Sequence, residues 1–214
     1  MPKYLKLALP LLALILIVAG AALLYPALAA GREAAMAPVT EASTTTPATA
    51  AATEAATDSA APQYFKAWDF LIYTESGTQH KLSDFFGKPI VLNFWASWCG
   101  PCQMEMPEFQ AVYDDLGAEV TFIMLNVTDG QSETAETAAA FIAEAGYTFP
   151  WYLDIDTNGA YLYGINSIPQ TFIIDSNGYL AAYQVGMLGE SALRGGIDMA
   201  LAQAEKTQNL EEPQ

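Results

Sequence analysis

Two cysteines, Cys99 and Cys102, stand three positions apart in Trp98-Cys99-Gly100-Pro101-Cys102, and they are the only thiols in the chain. Such a pair can exchange thiol for disulfide, supply half of a zinc site, or close an inert cross-link. Zinc would need two further ligands, and the single histidine, His80, cannot complete the set except across subunits. An inert disulfide here would close only a very short loop and contribute little through chain entropy. Thiol-disulfide exchange suits the setting best, because the pair follows an apolar run, Ile90-Val91-Leu92-Asn93-Phe94-Trp95, and opens a helical pattern. At a helix N-terminus Cys99 lies near unpaired backbone N–H groups and the positive end of the helix dipole, which favour thiolate and make it the expected nucleophile. Cys102 falls in phase with Met106, Phe109 and Tyr113. It therefore points toward the core and is the expected resolving thiol, attacking a mixed disulfide from within.

The elements that must hold this pair are legible as alternating strands and helices. Residues 68–73, 90–94, 120–127, 151–153, 171–174 and 179–185 are short, rich in β-branched and aromatic residues and bounded by turn formers, which predicts strands. Asp175-Ser176-Asn177-Gly178 predicts a hairpin joining the last two of them antiparallel. Helical periodicity runs through Cys102 to Leu116, the alanine-rich 133–145 and finally 188–206. The order argues for an α/β domain, a mixed central sheet with helices on both faces.

Charge and composition set the rest of the chain apart from this domain. With 24 acidic against 8 basic residues among 214 and a net charge of -16, there is no basic patch to track phosphates, which excludes nucleic acid as a partner. Only Tyr4 and Tyr25 among the aromatic residues precede position 64, so the material for a core begins there. Residues 1–32 form a first segment, in which Leu7 to Leu24 is apolar apart from Pro10 and is preceded by Lys3 and Lys6. That length approaches the ~20 residues needed to span a bilayer, and the lysines predict a cytoplasmic N-terminus, hence a signal anchor. The rival is a cleavable signal peptide, since Ala27-Leu28-Ala29 has a small-x-small pattern. Residues 33–62, with 12 Ala and 7 Thr and no aromatic residue, predict a disordered linker. The domain itself spans 63–206 and 207–214 is expected to be a flexible tail. Either fate of the first segment puts the domain outside the cytoplasm, where disulfides persist.

The run from Val91 to Cys102, followed by Glu105-Met106-Pro107, resembles thioredoxin-fold proteins of the TlpA/ResA type within the redoxin, or AhpC/TSA, superfamily. Residues 149–154, Tyr163-Gly164-Ile165, Ile168-Pro169 and 171–178 resemble the same family's second half. Lys81 to Pro89 resembles the segment that family places before its first core strand. The resemblance covers roughly residues 64–203, and it implies a thioredoxin-like fold with an N-terminal strand extension. It also implies that Ile168-Pro169 is a cis-proline junction lying against the cysteines and offering backbone groups to a bound peptide. Trp98, Gly100 and Pro101 would border the same docking surface. Glu105, one turn after Cys102, matches a position implying a proton relay or pKa modulator for the thiols; its plainer reading is a carboxylate stabilising the helix dipole. Asn93 stands where thioredoxin carries a buried aspartate, and Met124 replaces the nearby lysine, which leaves Glu105 as the nearest candidate base.

The expected activity is an extracytoplasmic thiol-disulfide oxidoreductase acting mainly as a reductase, because Gly-Pro between the cysteines resembles reducing thioredoxin rather than oxidising DsbA. Its redox-active disulfide, Cys99 with Cys102, would be its only redox group, with no metal and no other cofactor. The resemblance suggests oxidised protein substrates such as apocytochrome c, and recharging by a membrane-embedded electron donor. Two alternatives belong to other classes. A copper chaperone of this fold would use CxxxC and a distant histidine, and none follows this motif. A peroxidase would need help for its thiolate that only Arg194 could give. Of the remaining conspicuous residues, Phe94, Trp95, Tyr161 and Tyr163 are expected to pack, and His80 to lie solvated in a turn.

Overall fold

The computed structural model describes residues 37–38, 63–155 and 157–210. The expected anchor and all of the expected linker except Ala37 and Pro38 lie outside the described residues. Among those described, no helix is long and apolar enough to cross a membrane.

The strands are β1 (Ala37–Pro38), β2 (Leu71–Tyr73), β3 (Gln79–Lys81), β4 (Ile90–Trp95), β5 (Thr121–Asn126), β6 (Trp151–Leu153), β7 (Gln170–Ile174) and β8 (Leu180–Val185). The helices are α1 (Gly100–Leu116), α2 (Ala135–Ala145), α3 (Asn158–Leu162) and α4 (Glu190–Thr207). All the strands join one sheet in the order β1-β8-β7-β4-β5-β6-β2-β3. β4 is parallel to β5 and antiparallel to β7, so the sheet is mixed as its alternation with helices predicted.

β4 occupies the middle of the sheet because all six of its side chains are buried, the mark of a strand covered on both faces. Its alternation splits the core in two. Val91 and Trp95 face a cluster built with Met106, Phe109 and Val112 of α1, Ile142 of α2, and Leu193 and Ile197 of α4. Ile90, Leu92 and Phe94 face the other way, against Phe70, Leu82, Tyr163 and Phe172, with Ala160 of α3. Helices thus cover both faces, and β4 is fixed from each side.

Local chemistry explains several boundaries. Thr134 caps α2 by accepting from the Thr137 N–H, and Gly146 ends the helix with φ 72°, a conformation glycine adopts without a Cβ penalty. In the β7–β8 hairpin Asp175 Oδ1 accepts from the N–H groups of Asn177 and Tyr179, while Oδ2 accepts from Thr207 Oγ1 at 2.7 Å and Gln203 Nε2 at 3.0 Å. One carboxyl group therefore shapes the turn and ties down the end of α4. Thr207, assigned to the tail by sequence, is the last residue of α4 and fully buried.

Some sequence expectations are corrected. His80 lies in β3 rather than a turn, half-buried with its ring 5.6 Å from that of Phe85, since β3 pairs antiparallel with β2. Tyr161 does not pack: it is 83% exposed on α3, whereas Tyr163 is buried with its hydroxyl donating to the Trp68 carbonyl. The strand expected over 68–73 is confined to Leu71–Tyr73, and the short β3 and α3 carry too few periodic residues to announce themselves.

Candidate active site

Cys99 is the N-cap of α1, in extended conformation, and its Sγ accepts from the Cys102 N–H at 3.2 Å. Gly100 and Pro101 follow as the first helical residues, where a proline's missing N–H costs nothing and its fixed φ favours the turn. The sulfur thus sits where helix N–H groups converge, a setting that stabilises thiolate once the bond to Cys102 is reduced. In the structure that bond is closed, with Cα atoms 5.2 Å apart. Cys99 retains 4% exposure and Cys102 none, so Cys102 is sealed from solvent while Cys99 lies at the surface's edge.

The residues expected around the pair come together in space. The Ile168–Pro169 peptide is cis, and the Ile168 carbonyl oxygen lies 3.7 Å from Cys99 Sγ although 69 residues separate them. Trp98, Gly100 and Pro101 are exposed beside Cys99, Trp98 at 59%, while Ile168 is half-buried and Pro169 buried. An exposed indole next to a reactive sulfur is apolar surface available to a docking chain.

Glu105 is not an exposed first-turn carboxylate. It is buried on the inner face of α1, its Oε1 accepting from Asn93 Nδ2 at 2.9 Å and its Oε2 from the Leu188 N–H at 2.9 Å. Burial pushes its carboxyl from 4.5 up to about 8, against the opposing pull of the Leu188 N–H and the Asn93 amide. Proton affinity in that range approaches a thiol's, ordinarily about 8.5. An ordinary carboxylate would be some four units too weak a base to take a thiol proton.

A second buried carboxyl group, Glu133, has no counterpart in the sequence reading. It accepts from the Ser97 N–H and Oγ at 3.0 and 2.8 Å and from Asn126 Nδ2 at 2.7 Å. It thereby pins the loop that delivers Cys99 to the end of β5. Its 36-residue separation from Ser97 left no local signal. Glu133→Ala would strand the Ser97 N–H and the Asn126 amide in a buried place, and we expect a loss of roughly 2–4 kcal/mol, read by urea unfolding. A change below about 0.5 kcal/mol would show that the loop does not depend on it.

Comparison with known proteins agrees with this geometry. A sequence profile described as the AhpC/TSA family matches residues 62–183. The thiol-disulfide oxidoreductase ResA of Geobacillus thermodenitrificans is 32% identical over 133 residues, covering 61% of this chain and 73% of that protein. The crystal structure of StoA from Bacillus subtilis superposes with a TM-score of 0.53 at 28% identity, over 60% of this chain and 96% of its own. A thiol:disulfide interchange protein of the thioredoxin family from Chlorobium tepidum does so with a TM-score of 0.56 at 26% identity, over 66% and 99%. The fold is thioredoxin-like.

Proposed function

Because the chain belongs to the AhpC/TSA family and is a thiol-disulfide oxidoreductase of the ResA type, we propose that it reduces disulfides in secreted or membrane-associated proteins on the extracytoplasmic side of a membrane. The observation that carries this reading is the position of the cysteine pair: a closed disulfide at a helix N-terminus, with Cys99 Sγ against the Ile168 carbonyl. A peptide laid along the Ile168–Pro169 backbone and the Trp98 indole brings its own disulfide to that sulfur.

Cys99 thiolate attacks one sulfur of the substrate disulfide; a new S–S bond forms, the substrate S–S bond breaks, and the departing thiolate takes a proton from solvent. Cys102 then gives its thiol proton to Glu105 Oε1 or Oε2, and the resulting thiolate attacks Cys99 Sγ. The mixed disulfide breaks, the second substrate thiolate leaves and takes up the proton that Glu105 releases, and the Cys99–Cys102 disulfide is regained. Two electrons pass from the dithiol to the substrate. A membrane-embedded electron donor restores the dithiol, and residues 1–32, as a membrane anchor, keep the domain near that donor. Apocytochrome c fits the client class, a secreted polypeptide carrying a CxxC pair that must be reduced.

The test is capture. Full-length chain carrying Cys102→Ser, expressed in cells, should accumulate mixed disulfides at Cys99 with secreted or membrane-anchored proteins, apocytochrome c among them. These adducts should vanish in the Cys99→Ser, Cys102→Ser double variant. Adducts confined to cytoplasmic proteins, or none at all, would overturn the assignment.

A further inference from the structure

Asn93 is fully buried in the middle of β4, and its cross-strand neighbours are Thr171 on β7 and Met124 on β5. Its Nδ2 donates twice, to Glu105 Oε1 at 2.9 Å and to Thr171 Oγ1 at 3.0 Å. Its Oδ1 has no hydrogen-bond partner, although buried amide oxygens are nearly always paired. Both oxygens of Glu105 are met by N–H donors, one from Asn93 and one from the Leu188 backbone. That arrangement favours a carboxylate: a proton on a lone pair that Asn93 or Leu188 already meets would face an N–H. Of the two donors, the backbone N–H cannot change its chemistry. The amide can, by turning over about its terminal bond to exchange Nδ2 for Oδ1.

We propose that Asn93 is a positioning residue for proton transfer in the thiol cycle: with Nδ2 toward Glu105 it holds the carboxylate ready to accept a proton, and it reverses to present Oδ1 when Glu105 has accepted one. Thr171 makes the reversal possible, because its hydroxyl accepts from Nδ2 in one state and donates to Oδ1 in the other. On reversal the unpartnered oxygen gains two donors, and the amide N–H groups exchange their two acceptors for the position the oxygen leaves. The groups that meet Glu105 are Asn93 from β4 and the Leu188 N–H from the segment after β8. Among the described residues no charged side chain contributes to its proton affinity. This inference rests on Glu105 serving as the proton acceptor for Cys102.

Carbon-13 NMR of the Glu105 carboxyl, assigned by its loss in Glu105→Gln, tests the first half. Asn93→Ala removes a donor from the carboxylate, so the Glu105 midpoint should rise by about one pH unit, a tenfold gain in proton affinity. An unchanged midpoint in Asn93→Ala, or in Asn93→Ser should the alanine variant fail to fold, would overturn the assignment. The second half is read in the wild-type protein. Nuclear Overhauser contacts from the Asn93 Nδ2 protons to the Thr171 side chain should be present above the Glu105 midpoint and weaken below it. Contacts that persist unchanged through the titration would overturn the reversal. Thiol alkylation distinguishes this inference from the reading beneath it. If the Glu105→Gln variant alkylates with the wild-type pH profile, Glu105 leaves the cycle even where Asn93 still controls its titration.

Discussion

Cys99→Ser is expected to reduce insulin-disulfide reduction to the uncatalysed background, while Cys102→Ser keeps a single attack and stalls. The asymmetry follows from geometry rather than from the motif. Both sulfurs are chemically alike, but Cys99 caps α1, accepts from the Cys102 N–H and keeps a sliver of exposure, whereas Cys102 is sealed among Met106, Phe109 and the sheet. A serine hydroxyl at 99 has too high a proton affinity to ionise there, so the first S–S bond is never attacked. In Cys102→Ser the first attack proceeds and nothing releases the adduct. The two variants should therefore differ in kind: no adduct and no turnover for the first, a stoichiometric mixed disulfide and no turnover for the second. Insulin reduction retained by Cys99→Ser would reverse the roles of the thiols.

Glu105→Gln is expected to flatten part of the protein's stability against pH. The carboxyl rises from 4.5 in the unfolded chain to about 8 in the fold, mainly through burial. A group whose folded proton affinity is raised stabilises the fold fully below the unfolded value and loses that contribution as pH rises toward the folded one. Between roughly pH 4.5 and 8 the native state holds a proton that the unfolded state has released, so each unit of pH removes about 1.4 kcal/mol. Glutamine keeps the shape and cannot ionise. The difference in unfolding free energy, wild type minus variant, measured on the oxidised proteins in urea, should fall steadily from pH 5 to 8 and level off above. Parallel curves across that range would show that the burial of Glu105 carries no linked proton. The same variant should shift the pH dependence of Cys102 reactivity, because a neutral amide cannot accept the thiol proton.

These two effects have different origins in the sequence. The position of the cysteine pair was readable from local order: an apolar strand, then Cys-Gly-Pro-Cys, then helical spacing, each signal lying within a dozen residues. The strand and helix positions were readable for the same reason, since a period of two or 3.6 needs only neighbours along the chain. Short elements failed that test, and β3 and α3 passed unseen while His80 and Tyr161 were misplaced. A role for Glu105 beside the thiols was an expectation from its place one turn past Cys102 and from the family resemblance, and its environment was not legible. That came from Asn93, 12 positions before it, and Leu188, 83 positions after it.

The sequence by itself determined the chemistry available to this protein, two thiols at exchange spacing on a helix start, and the α/β pattern that presents them. Tertiary structure decided what tunes that chemistry. Folding β4, β7, α1 and the segment after β8 together buries one carboxyl under donors and clamps the cysteine loop with a second. It also sets the Ile168 carbonyl against Cys99 from 69 residues away. Desolvation and long-range hydrogen bonds have no period along the chain, and they exist only once the sheet has formed.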